Sequence, residues 1–463
     1  MFSPPMPTFT LNAVSRLLLS LPLIFALNVP SLGQQSLGVI SETQFDLAAD
    51  ALIREAENPD TGPSFIVLRQ NILKLFNSLP PVIQQKVRIE KYDERLSQVE
   101  SKWFPQLGLS AGYKSYRRDE ETLGRTNPLN ATVLQQVWDF GTTGSEKRQI
   151  QAEQDVEVLS VRLARSETLL KCVRATLNLQ KTRRQEFFVL GFVNSRKSFA
   201  KFMEQRKELG AASEMDLVRA KAKVAQAMEQ IPTVRAQVSK AKADYEAVFG
   251  IAPTNISGDY YRLPFYNSDY EEERIRDLAK NSLRVKAQRS KVEASVAKVD
   301  QLKASQYGVI QGQLNVVGGE STISGYSRQS TVGLEYKVEL FDGFKLRSAI
   351  AEAALTSTEQ LLELDQIQRD QFVLLSQAKS NLESAKETYA SRIDLLRSTR
   401  AIDAGTRELF TLDRASITDV FREQEAHFTA AQQLIEGIFQ RDIAVYEFLH
   451  AFDELIPTFE VES

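Results

Sequence analysis

The sequence predicts a mainly α fold with a small β part, built twice over in tandem. Three observations carry that prediction. The motif Leu209-Gly-Ala-Ala212-Ser213-Glu-Met-Asp216-Leu217-Val-Arg219 returns 203 positions later as Leu412-Asp-Arg-Ala415-Ser416-Ile-Thr-Asp419-Val420-Phe-Arg422. Two proline-free stretches of roughly 60 residues carry apolar side chains at a 3.5-residue period, the mark of a coiled-coil seam. Between the helices of each half lie short segments of period-two alternation, the grammar of strands.

The repeat extends beyond one motif. Asn77-Ser78-Leu79 recurs as Asn281-Ser282-Leu283, and Ser101-Lys-Trp103 recurs as Ser305-Gln-Tyr307. Gly141 after Trp138-Asp139-Phe140 matches Gly343 after Leu340-Phe341-Asp342. Anchors at nearly constant offset indicate a duplicated unit too long for a solenoid repeat. The expected organisation is a signal peptide over 1–33, an N-terminal extension over 34–76, repeats over 77–250 and 281–455 joined by a linker over 251–280, and a tail over 456–463.

The first 33 residues hold one base, Arg16, then the apolar run Leu17 to Leu27, then small residues around Ser31-Leu32-Gly33. That run contains Pro22 and is too short to cross a bilayer, so it reads as a secretory signal. No cysteine follows it for lipid attachment, and no later stretch is apolar enough for a transmembrane helix. With 57 Lys and Arg against 60 Asp and Glu, the chain has no general affinity for nucleic acid. A single cysteine, Cys172, excludes an intrachain disulfide and a thiolate metal cluster. Residues 34–76 contain Pro59, Pro63 and an apolar stretch near Phe65 to Leu68, suited to packing along the outside of the helices.

In the first long helix, beginning after Gly144 and interrupted by one glycine, Gly191, the seam is Ala152, Val156, Leu159, Leu163, Leu170, Val173 and Leu177. Its counterpart runs from Lys345 to about Leu409. Each ends in a copy of the repeated motif, over 209–216 and 412–419, and a shorter helix follows. Ser213 and Ser416 stand at N-cap positions, with Asp216 and Asp419 in the first turn where the helix dipole favours a carboxylate. Capping alone would account for both.

The strands are expected at about 105–117 and 131–140 in the first half and at 309–317 and 331–341 in the second. The last is the clearest. Val332, Leu334, Tyr336, Val338 and Leu340 form its lipid-type face and alternate with Glu335, Lys337 and Glu339 on the wet, lumen-type face. About ten residues of alternation match a transmembrane strand. Two hairpins of a soluble sandwich are the alternative, but no other strand-rich region offers a second sheet. A sheet in lipid tolerates no open edge. Four strands cannot close one, so entry into a membrane requires a barrel shared between copies.

This order of elements resembles the TolC family of outer membrane efflux and secretion channels. The residues that carry the likeness are Phe104-Pro105-Gln106-Leu107, Val137-Trp138-Asp139-Phe140-Gly141, Leu340-Phe341-Asp342-Gly343 and the two Ser-x-x-Asp turns, over roughly residues 70 to 455. Phe410 to Val420 resembles the members that serve type I protein secretion more than the multidrug members. The resemblance implies a homotrimer with a 12-stranded barrel in outer membrane lipid and an α-barrel of long helices crossing the periplasm. It implies two partners, a periplasmic adaptor (membrane fusion protein) and an inner-membrane ABC or proton-driven transporter. By position, Asp419 falls in the acidic constriction of the periplasmic gate, with Asp216 and Arg422 beside it. Leu209, Gly210, Ser213, Leu412, Asp413, Arg414 and Ser416 fall in the tip turns that contact the adaptor. Two departures stand out: Asp413 replaces the family's glycine, which challenges a left-handed turn there, and Arg422 stands where a second acid is common.

No catalytic constellation is found, and no cofactor or metal is expected. Asp139-Phe-Gly lacks the phosphate loop that a kinase would require and reads as a strand-end turn. His427 and His450 read as solvated helix positions. A periplasmic coiled-coil adaptor or scaffold is the competing function; it would need a compact lipoyl-like β domain.

Overall fold

The computed structural model describes residues 43–58, 65–118, 121–253, 261–321 and 325–459; the expected signal peptide lies outside them. Three helices come first, α1 (Gln44–Glu57), α2 (Phe65–Phe76) and α3 (Pro80–Glu100). Three strand segments follow, β1 (Gln106–Ala111), β2 (Lys114–Arg118) and β3 (Glu121–Trp138), then α4 (Thr142–Glu208), α5 (Glu214–Met228) and α6 (Gln230–Phe249). The second half has α7 (Glu272–Lys280), α8 (Leu283–Ser305), β4 (Val309–Ser321), β5 (Gly325–Lys337), α9 (Lys345–Thr411), α10 (Ile417–Ala451) and α11 (Leu455–Phe459).

Helices α4 and α9 have 67 residues each, about 100 Å at 1.5 Å per residue. They start 203 positions apart (345 − 142) and end 203 apart (411 − 208). Each begins where a strand-end carboxylate takes up first-turn amides: Thr143 N–H donates to Asp139 Oδ2 at 2.6 Å, and Leu346 N–H donates to Asp342 Oδ2 at 2.6 Å. Asp139-Phe140-Gly141 is therefore a strand-end turn, with Gly141 at φ 94°. The helices that return from the tips differ. α10 runs unbroken for 35 residues, whereas its counterpart divides at Glu229 into α5 and α6. Pro232, which lacks a donor for the preceding turn, forces that break.

The strands form one antiparallel sheet in the order β1-β3-β4-β5, with β2 also on β3. β1 and β2 pair with successive parts of β3, Leu129–Leu134 and Glu121–Thr126, so five segments fill four lanes. The expected bounds shift. The 105–117 strand is split at Gly112-Tyr113, the 131–140 strand starts at Glu121 and stops at Trp138, β4 runs on to Ser321, and β5 spans 325–337. The ladder extends through polar residues that carry no alternation signal. It stops at Lys337, which pairs with Val309, the first residue of β4; Gly308 before it, at φ +75°, lies where a Cβ would collide with the Lys337 carbonyl. Val338, Glu339 and Leu340 thus lie past the strand.

Three buried clusters order the helical part. Leu68, Ile72 and Phe76 of α2 join Leu169, Tyr446 and Phe459 in the largest. Phe45 and Leu52 of α1 join Phe188, Phe192, Phe428 and Leu434 in the second, and Phe199, Met203, Leu217, Phe410 and Phe421 form the third, at the tips. Cys172 is buried in the first, where desolvation pushes its thiol up to about 12. No helix among the described residues is long and apolar enough to cross a membrane.

Asp442 on α10 is fully buried against Arg441, whose Nη2 donates to Oδ1 at 2.6 Å. Desolvation outweighs the guanidinium and pushes the carboxyl up to about 6. Because the folded chain holds this proton more tightly than an unfolded carboxyl does, the associated stability is full below about pH 4 and is lost as pH rises through about 6. Asp442→Asn is therefore expected to be more stable than the parent at pH 8, by up to about 3 kcal/mol, and equal to it near pH 4. Denaturant titrations at the two pH values test this.

Candidate gate at the helical tips and the amphipathic sheet

Both tip turns close in the same way. After α4, Gly210 N–H donates to Lys207 O (2.9 Å) and Ala211 N–H to Arg206 O (2.7 Å); after α9, Asp413 N–H donates to Phe410 O (3.2 Å) and Arg414 N–H to Leu409 O (2.8 Å). These are paired Schellman bonds around one left-handed residue. Gly210 has φ 73° and Asp413 has φ 57°. The left-handed turn that the missing glycine called into question is therefore present. Aspartate tolerates this region better than most residues, and Arg206 Nη2 donates to Asp413 Oδ1 at 2.6 Å. Asp413→Gly is expected to change stability by less than about 0.5 kcal/mol, because the exposed ion pair contributes little. Asp413→Ala is expected to cost about 1 to 2 kcal/mol of left-handed strain, read by chemical unfolding.

Ser213 Oγ accepts from Asp216 N–H at 3.1 Å. Ser416 and Asp419 form a full capping box, with Asp419 N–H on Ser416 Oγ (3.2 Å) and Ser416 N–H on Asp419 Oδ2 (3.2 Å). Those bonds from Ser416, and secondarily Arg422, hold the Asp419 carboxyl below the usual range. Each turn adds an arginine to its aspartate, Arg219 to Asp216 at 3.5 Å and Arg422 to Asp419 at 3.2 Å. Arg422 Nε also donates to Glu423 at 2.8 Å. A concavity of about 840 Å³ between α5, α9 and α10 is lined by Arg219, Lys223, Phe421, Arg422 and Glu425, not by Asp216 or Asp419. Leu209, Leu412 and Arg414 are exposed at the turns.

Two arginines not singled out in the sequence tie the hairpins together. Arg206 Nη1 also donates to Phe410 O at 3.4 Å. Buried Arg196 donates to Gln424 Oε1 (2.7 Å), Phe421 O (3.2 Å) and Glu425 Oε2 (3.0 Å). Their signal in the sequence was a charge amid the apolar spacing Phe192-Phe199-Met203.

Further along, Arg407 of α9 lies between two fully buried carboxylates. Its Nη1 and Nη2 donate to Asp46 (2.7 and 3.1 Å), its Nε donates to Asp403 Oδ1 (3.0 Å), and its Nη2 also contacts Asp403 Oδ2. His427 is fully buried rather than solvated, with Nδ1 at 3.2 Å from Asp403 Oδ2 and its ring edge-on to Phe45. A carboxylate only accepts, so Nδ1–H is the donor. His450 is also partly buried, with Nδ1 at 2.7 Å from Ser166 Oγ. Asp46, Asp403 and His427 have ligand-type spacing, but Arg407 already supplies the positive charge between the two acids.

In the sheet, the registers align Leu107, Val133, Leu314 and Val332 in one row across all four lanes. Directly opposed residues share a face, and so Leu109, Ala131 and Val316, and Ile310 and Tyr336, lie on that side too. A bulge between Gln136 and Trp138 brings Trp138 opposite Ile310, onto the apolar face. This is why alternation fails near the end of β3. The opposite face carries rows such as Gly108, Thr132, Asn315 and Thr331, with Thr132 Oγ1 donating to Asn315 Oδ1 at 3.2 Å. Glu335 and Lys337 share this polar side; Leu334 and Tyr336 share the apolar one. Leu107 and Val332 are 76% and 79% exposed, so nothing in the described chain covers the apolar face. Phe140 packs with Trp138, Tyr307 and Tyr336 where the sheet meets the helices.

Residues 76–250 match the family described as outer membrane efflux protein. Among curated proteins, this chain is 22% identical over 368 residues to Protein CyaE of Bordetella pertussis, covering 76% of the chain and 77% of the relative. Its fold is similar to the open state of the MtrE outer membrane channel of Neisseria gonorrhoeae (TM-score 0.72, 11% identity, 84% of this chain and 89% of that one). It is likewise similar to the outer membrane protein VceC of Vibrio cholerae (TM-score 0.67, 14% identity, 88% and 96%). Long helices joined to a small antiparallel sheet, the fold of these channels, are thus the fold of this chain.

Proposed function

We propose that this protein is a trimeric outer membrane channel-tunnel that exports substrates together with a periplasmic adaptor and an inner-membrane ABC or proton-driven transporter, and that it opens and closes at the helical tips. The observation that carries the reading is the four-lane sheet with one continuous apolar face and two unpaired edges. In hydrocarbon each unpaired backbone group costs several kcal/mol, so the edges must pair with other copies. Two copies give eight strands and a lumen filled by side chains; three give about 12 and a passage. Exposed Leu355 and Leu362, and Leu395, Ile402 and Leu409, recur at seven-residue steps on α9, a seam suited to a neighbouring helix. The adaptor reading lacks its lipoyl-like domain, since every strand among the described residues belongs to this one sheet.

The decisive experiment is detergent extraction from outer membranes, sizing, and recording in a planar bilayer. A conducting trimer is expected; a soluble monomer overturns the reading. Export would then follow from tip opening biased by adaptor contacts, without bond chemistry in the chain. Asp216, Asp419 and Arg422 act at the gate in this reading, and the residues of the tip turns meet the adaptor. Because each Asp419 is paired with Arg422, cation block of the closed pore should be weaker than in relatives with two acidic rings. Arg422→Asp is expected to lower the blocking concentration of a divalent cation about tenfold, and equal block in both proteins would refute the role given to Arg422.

A further inference from the structure

Helix α1 does more than fill a surface. Three of its acids, Asp46, Asp50 and Glu57, pair with Arg407, Arg400 and Arg397 of α9. A fourth, Glu55, pairs with Arg184 of α4. Acid numbers rise as the α9 arginine numbers fall, so α1 runs antiparallel to α9 along the seam between the two long helices. Tyr389 Oη of α9 donates to Ala56 O at the far end of α1. At the near end, Phe45 meets Phe188 and Phe192 of α4 and Phe428 of α10.

The long helix is shaped to receive it. Gly191, within α4, faces Phe45, and a Cβ there would lie 3.6 Å from the Phe45 Cβ. Alanine would fit there in ordinary contact, whereas a larger side chain would displace Phe45. The single segment 43–58 therefore engages α4 of one hairpin and both α9 and α10 of the other. We propose that it is a strap that holds the two hairpins together, so that their tips separate only when the strap lifts. Its grip is bistable in character. A small shift of α9 against α1 takes the Arg407 guanidinium away from fully buried Asp46 while Asp403 stays with Arg407 on α9, and a buried carboxylate of that kind is either paired or stranded.

The strap concerns contacts within one chain; only its consequence for transport rests on the channel reading. The test is hydrogen exchange of the purified full chain in detergent, followed by mass spectrometry. Asp46→Asn weakens the charge cluster, and Gly191→Leu lifts Phe45 without touching a charge. Gly191→Ala, whose Cβ makes only ordinary contact, is the control. Both disruptive variants are expected to speed exchange at least tenfold in residues 205–216 and 407–420, with the cluster around Leu68, Tyr446 and Phe459 still protected and the Gly191→Ala variant unchanged. Exchange that rises in 43–58 alone, with both tips as protected as in the parent, overturns the strap. If that cluster also loses protection, Arg400→Gln, which leaves the buried cluster intact, decides by the same two readings. Exchange is read without reference to conduction, so a protein that fails to conduct counts against the channel and not against the strap.

Discussion

Replacing Arg407 by methionine is expected to destabilise the folded chain by about 3 to 5 kcal/mol, the largest effect of any single substitution considered for the helical part. The reason is asymmetry. A buried ion pair adds little net stability while intact, because both charges have lost their hydration, but removing one member strands the other in a medium that cannot solvate it. Here the loss is doubled, since Asp46 and Asp403 are both fully buried and both depend on the same guanidinium. Replacing Arg407, Asp46 and Asp403 together by apolar residues of similar size should recover most of the loss. Unfolding by denaturant, compared between the single and triple variants, reads both numbers. A single variant within about 1 kcal/mol of the parent would mean that the cluster is hydrated in solution.

Val332→Lys is expected to cost about 2 to 4 kcal/mol in a lipid-inserted barrel, whereas Thr331→Lys, one residue away, should be close to neutral. The two positions lie on opposite faces of β5. Val332 belongs to the apolar row with Leu107, Val133 and Leu314, and Thr331 to the polar row with Asn315, Thr132 and Gly108. A charge on the first row would sit in hydrocarbon and on the second in a wet lumen. Recovery of folded, heat-resistant oligomer from lipid vesicles against urea measures the difference. Equal effects at the two positions would remove the membrane from the account of this sheet.

Elements specified by local sequence could be read in advance. The two long helices followed from a 3.5-residue period without proline, and both tip turns from a serine with an aspartate three residues on. The strands were visible where one face was apolar, as from Val332 to Tyr336. They were invisible where pairing alone held them, as from Glu121 to Asn130. The end of β3 was obscured by a bulge, which shifts Trp138 by one position and restores its face. What the sequence concealed was long-range partnership. Asp46 meets Arg407 across 361 positions, and nothing near either residue in the chain announces the other. His427 looked like a solvated surface group for the same reason, its carboxylate partner lying on a different helix. Asp413 shows a subtler limit, since a missing glycine predicts a lost left-handed turn only if no tolerant side chain or ion pair takes its place.

The four-lane sheet also has a kinetic consequence. A chain that leaves the ladder edges of β5 and of the β1/β2 lane unpaired cannot insert alone and wait in lipid for partners, because each unpaired amide would be paid for until they arrived. Nor can it linger long in water, where the same edges and an uncovered apolar face invite pairing with the wrong neighbour. In the proposed channel, membrane entry and association are therefore one reaction, with a rate expected to climb more steeply than first order in chain concentration. In that channel the helical part, which contains all three buried clusters, is the part expected to fold beforehand and hold the sheets of separate chains in position for that step.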